Sequence, residues 1–151
     1  MSMTVLTLTL SAALAAPAED PPGDAVKAEM KKMEGAWAFE KLVPNGEEPR
    51  PEGELKQMRL VVRDNTRTVM QGGEVRNKAT YTIDPKASPK TIDVEILDGP
   101  LKGRTLYGIY TLDGDTFTMC LSLDGKVRPT KLEAAKGNVY QVFKRAKDEK
   151  K

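Results

Sequence analysis

The residues of this chain with the type and spacing to do chemistry are carboxylates, arginines and one thiol at turns and strand ends. Asp113-Gly114-Asp115 has the spacing of two ligands in a calcium loop. The further oxygen ligands and the closing Glu of such a loop do not follow. Alternating segments on both sides make it a hairpin turn instead. Asp84-Pro85, with Pro89-Lys90 and Asp93 beyond, could shape a loop at the mouth of a site. Turn chemistry explains the same residues more simply, since Pro fixes φ and Asp bonds its own backbone. Arg128 before Pro129 could receive an acidic ligand; pairing with Asp93 or Glu95 on a neighbouring strand is the simpler expectation. Cys120 is the one cysteine, so an intramolecular disulfide is impossible. No cation or helix N-terminus adjoins it in sequence, so it reads as a packed, unreactive thiol.

Histidine is absent, which removes the commonest general base and metal ligand and any Ser-His or Cys-His nucleophile pair. No pair of carboxylates stands out from the solvated background. The sequence therefore assigns no catalytic residue, no metal ligand and no cofactor, and an enzyme is not expected. With 24 basic and 22 acidic residues, the net charge of +2 leaves no electrostatic footprint for nucleic acid.

Positioning falls to a run of strands. Residues 5–16 (VLTLTLSAALAA) are an apolar stretch too short to span a membrane and suited to the core of a signal peptide. Small residues follow at 13–15 and 16–18, so residues 1–18 read as a cleaved signal peptide. The protein is then exported, periplasmic or extracellular, with no stable membrane span in its mature form. Residues 19–33 read as a Pro- and acid-rich linker and a short helix. Asp24 is its expected N-cap, and Val26, Met30 and Met33 form its apolar stripe.

From Gly35 the period changes to two. Trp37 and Phe39 alternate with small or charged residues; so do Met58, Leu60 and Val62, then Val75, Ala79, Tyr81 and Ile83, then Ile92, Val94 and Ile96. Leu106, Tyr110 and Leu112 follow, then Phe117, Met119, Leu121 and Leu123, with residues 127–132 and 139–143 as the last strands. Gly72-Gly73, Asp98-Gly99 and Asp124-Gly125 punctuate the series. This spacing predicts a mainly β fold of about eight antiparallel strands, an up-and-down barrel rather than a sandwich, because closure removes both exposed edges. The barrel occupies residues 34–145, and residues 146–151 form a disordered basic tail. In a closed barrel the first and last strands touch, so Arg145 can stack on Trp37 as a structural plug. Gly108, inside a strand, marks a bend or a close backbone approach.

Several of these pieces resemble a known family. Gly35-Ala36-Trp37 with a late Arg145 is similar to the lipocalin-type calycin signature. A fuller likeness runs through Tyr81-Thr82-Ile83-Asp84-Pro85, Pro89-Lys90, Ile92-Asp93 and Gly108-Ile109-Tyr110. It continues through Leu112-Asp113-Gly114-Asp115, Cys120, Arg128-Pro129-Thr130 and Arg145. Together these resemble the lipocalin-like domain family expanded in planctomycete bacteria, whose members are mostly exported and of unassigned function. The resemblance implies a lipocalin-like barrel and no known reaction. The chain differs from other lipocalins in lacking their disulfide.

Two functions remain open on sequence. The first is a binding module for a small apolar ligand, lined by Phe39, Leu60, Tyr81, Val94, Tyr110, Phe117 and Met119 inside the barrel. The second is a non-catalytic structural or protein-interaction domain of the cell envelope with a filled core. One Trp, four Tyr and three Phe do not suffice for a wide aromatic pocket. An internal cavity of about 300 Å³ or more is the feature that separates the two.

Overall fold

Alternating strands joined by tight turns close into a ring. The computed structural model describes residues 23–147; the stretch 1–18 read as a signal peptide, the start of the expected linker and the end of the basic tail lie outside the described residues. In chain order the elements are α1 (Asp24–Met33), β1 (Gly35–Pro44), α2 (Glu52–Leu55), β2 (Met58–Arg63), β3 (Thr66–Gln71) and β4 (Glu74–Asp84). They continue as β5 (Thr91–Ile96), β6 (Thr105–Asp113), β7 (Thr116–Ser122) and β8 (Asn138–Arg145). Each strand pairs antiparallel with the next, and β1 pairs with β8, giving a closed eight-strand barrel. At that seam Trp37 faces Arg145 and Phe39 faces Phe143.

Local chemistry sets the register. Gly72 and Gly73 both have positive φ, 60° and 82°, which a two-residue hairpin with the right twist requires. They join Gln71 to Glu74. At the opposite end Asp64 (φ 52°) and Asn65 join Arg63 to Thr66, and Gly114-Asp115 join Asp113 to Thr116. Gly108 is the close approach expected of it: a Cβ there would collide with the Cys120 carbonyl oxygen and the Leu121 side chain.

Two expectations are corrected, and one element is added. Residues 127–132 are not a strand but part of the irregular connection 123–137, with Val127 70% exposed. Arg128 lashes this connection to the outside of the barrel. It donates to the carbonyls of Gly108 (2.8 Å) and Ile92 (3.3 Å), and pairs with Asp93 at 2.7 Å. Ile109, Cys120 and Ser122 point outward yet are buried, because the connection lies over them: the Cys120 thiol donates to the Glu133 carbonyl at 3.6 Å. Between β1 and β2 the polar, Pro-rich stretch 45–51 is a loop, and it runs into the four-residue α2, an element the period-two reading did not include, whose Leu55 is buried in the core. Asp24 is the first helical residue of α1 and Gly23 takes the N-cap place, without a side-chain bond.

Candidate functional site

The seven side chains expected inside the barrel, Phe39, Leu60, Tyr81, Val94, Tyr110, Phe117 and Met119, are all buried in one hydrophobic cluster. The end of the lumen beneath α1 is filled by rings. Trp37 packs on Phe117 (5.6 Å between centroids), Phe117 on Phe143 (5.6 Å) and Phe143 on Phe39 (4.6 Å). Tyr110 meets Phe117 edge-on. The Trp37 indole donates to the Met33 carbonyl at 2.8 Å, which ties α1 down. The Arg145 guanidinium lies 4.2 Å from the centre of the Trp37 ring and donates to the carbonyls of Glu34 (2.9 Å) and Lys32 (2.6 Å). It thus caps the last turn of α1 while covering the indole.

α1 also brings a carboxylate into this end. Glu29 is buried and accepts from Lys90 Nζ at 2.7 Å and from the Tyr110 hydroxyl at 3.2 Å. Burial first, and then the Glu29 charge, push the Tyr110 phenol well above its ordinary pKa of 10. Burial, with Glu34 next, pushes Tyr81 up to about 12; its hydroxyl donates to the Asp64 carbonyl at 2.8 Å. Burial likewise raises the Cys120 thiol. Phenols and thiol therefore keep their protons at neutral pH, and none is poised as a base or nucleophile.

The lumen also holds a residue that sequence reading did not select. The turn at Asp64-Asn65 sets Arg67 opposite Val62, on the same face as Leu60, so Arg67 points inward. Its other cross-strand neighbour, Ala79, is small and leaves room for it. The side chain is 6% exposed. Its Nη1 reaches Met119 Sδ at 3.6 Å. Because β3 and β7 stand four places apart in a ring of eight, Arg67 crosses the lumen. A thioether is a weak acceptor. Nε has no hydrogen-bond partner, and no carboxylate among the described residues pairs with this guanidinium. Burial lowers its pKa from 12.5 to about 10, so it stays charged at neutral pH. Gln141 faces Met119 across the β7–β8 ladder, is 8% exposed, and carries an unpartnered Oε1. An unpaired donor and an unpaired acceptor thus sit beside the same methionine.

Concave volumes of about 640, 500 and 400 Å³ are grooves on the outer surface; the internal cavity of about 300 Å³ that would mark a preformed ligand site is not found among the described residues, whose inward side chains pack into one cluster. The widest groove has a floor of Ala36, Ala38, Val61 and Met70 beside Arg59, Arg145 and Lys147. Among the described residues no group of three or more acidic or cysteine side chains is placed to hold a metal ion. No helix among them is long and apolar enough to cross a membrane. No family model, curated protein or solved structure matches the chain.

Proposed function

We propose that this is an exported, non-catalytic, lipocalin-like binding module whose lumen takes a small, largely apolar molecule with a polar head. The observation that carries the reading is the unpaired Arg67 Nε and Gln141 Oε1 inside an otherwise apolar barrel. An unpartnered buried polar group costs about 1–3 kcal/mol, and an unpaired charge more. Cores that keep such groups give up stability at places where they do something else. The lipocalin signature of Gly35, Trp37 and Arg145 supports the architecture, and the apolar run at residues 5–16 supports export. The test is native mass spectrometry of protein purified gently from its own source. A retained small molecule, displaced on denaturation, is the expected result; an empty monomer would refute it.

A second reading, a protein-interaction domain of the envelope with a filled core, draws on the ring contacts that occupy the α1 end and on the outer grooves. An empty monomer that captures an envelope protein through the Ala36–Met70 face would favour it.

A further inference from the structure

We infer that the outer face of β1–β3 is a docking groove for an acidic peptide segment of a partner protein, one that carries large apolar side chains between its carboxylates. This stands apart from the lumen reading, because the barrel presents the same outer wall with or without a ligand inside. It rests on the second reading above and names the chemistry of that partner.

The outward positions of an antiparallel wall that faces water are ordinarily polar. On β1 and β2 several are not. Trp37 and Phe39 point into the core, so Ala36 and Ala38 point out. Ala36 pairs with Val61, and Ala38 pairs with Arg59, which in turn faces Met70. Two alanines beside longer neighbours make a trough, and its volume is about 640 Å³. Val75, 48% exposed, faces Met70 from β4 and lengthens the apolar strip. A groove of about 400 Å³ shares Val61 and Met70 with the first and carries the strip toward Arg63 and Lys78.

Charge selects the occupant. Arg59, Arg145 and Lys147 line the first groove, and no carboxylate does. Arg145 is committed to Trp37 and Asp115. In the second groove Arg63 and Lys78 stand against Asp64 alone. Arg59, Arg63, Lys78 and Lys147 have no carboxylate partner among the described residues. Arg59 is also held in place, because its Nη1 donates to the carbonyls of Met58 at 2.9 Å and Lys56 at 3.3 Å. A fixed guanidinium at the rim is a ready partner for a carboxylate. Cations around an apolar floor match carboxylates that flank an apolar side chain. A second copy of this chain docked face to face would set the same cations against each other. A planar lipid surface would meet the rim and leave the floor uncovered. A nucleic acid strand would find no aromatic ring in either groove to take a base.

The experiment is fluorescence anisotropy of dye-labelled peptides titrated with the whole protein. The probe is Gly-Asp-Asp-Leu-Leu-Asp-Asp-Gly; one control carries Asn for every Asp, the other Ser for both Leu. In about 20 mM salt the probe is expected to bind at least about tenfold tighter than the Asn peptide, a gap that closes near 1 M salt. The Ser peptide should bind at least about fivefold weaker than the probe. Arg59→Gln combined with Lys147→Gln should bring probe and Asn peptide within about threefold. Lys131→Gln, on the 123–137 connection, should change nothing. Val61→Glu, which sets a carboxylate in the floor, should abolish binding, and the double glutamine variant keeps the test alive should Val61→Glu lose its cooperative urea transition. Equal binding of probe and Asn peptide at low salt, no binding, or undiminished binding by the double variant would overturn the inference. So would phosphatidylglycerol vesicles held by Arg59 and Lys147 while the peptide is not, or a dimer in solution that Val61→Glu dissolves. Each of those results would still leave the second reading open to a partner of other chemistry.

Discussion

Replacing Arg67 with methionine should make the ligand-free protein more stable. The guanidinium pKa falls from 12.5 to about 10 on burial, which corresponds to about 3 kcal/mol against the charged form. Below pH 10 both folded and unfolded chains hold this proton, but the unfolded chain holds it more firmly. The group therefore subtracts from stability throughout that range, and the subtraction fades only as pH climbs from about 10 to 12.5. Methionine reaches into the same space without the charge. It forfeits packing of the guanidinium atoms, on the order of 1 kcal/mol. The net expectation is a gain of about 2 kcal/mol, inside the range seen when apolar residues replace buried ionic groups. In urea, with a slope of about 1.5 kcal/mol/M, the midpoint should rise by about 1.3 M with the slope unchanged. In a thermal scan the midpoint should rise by about 6 °C. A midpoint lowered by the equivalent of 1 kcal/mol or more at constant slope would show that partners stabilise the guanidinium as a strut. The argument for a lumen site would then fail.

Gly108→Ala drives a Cβ into the Cys120 carbonyl across the β6–β7 ladder, so a loss of about 3 kcal/mol or more in the urea midpoint, or failure to fold, is expected. Arg145→Ala removes the cover over Trp37 and two bonds to the end of α1, and should cost about 1–3 kcal/mol with a red shift of the single tryptophan's emission. Cys120, buried beneath the 123–137 connection with its thiol pKa raised, should react with a thiol reagent at pH 8 only as fast as the protein opens, and faster in urea. The raised phenols of Tyr81 and Tyr110 contribute stability that is whole below about pH 10 and lost as pH rises to about 12 and beyond. Relief of Arg67 opposes this in the same window, so alkaline unfolding should be steeper in Arg67→Met than in the parent.

The barrel was legible because its information is local. Period-two runs state which side chains share a face, and Gly72-Gly73 and Gly114 state where the chain reverses. Arg67 was not legible from composition. Residues 66–71 (TRTVMQ) have no clean alternation, and an arginine in a strand defaults to the solvent face. The signal was in the turn: two residues between Arg63 and Thr66 force position 67 opposite Val62, and hence inward. Gln141 was hidden for a related reason, since its face follows only from the register against Met119. The 127–132 segment misled in the other direction. Its spacing imitates a strand, yet Arg128 takes up carbonyls of β5 and β6 on the outer wall, a contact between residues about 20 and 36 positions apart. Glu29 on α1 gave no sequence signal, because its partners Lys90 and Tyr110 lie 61 and 81 positions away.

The β1–β8 seam has a kinetic consequence. Every other ladder joins consecutive strands, whereas the bond from Arg145 to Glu34 spans 111 positions. Contacts of such separation form late, after loop-closure entropy has been overcome. Until they form, a seven-ladder intermediate carries two naked strand edges, each complementary to the other edge of any neighbouring molecule. Refolding yield should therefore fall steeply with protein concentration, and dimers trapped at high concentration should be exchanged at this seam.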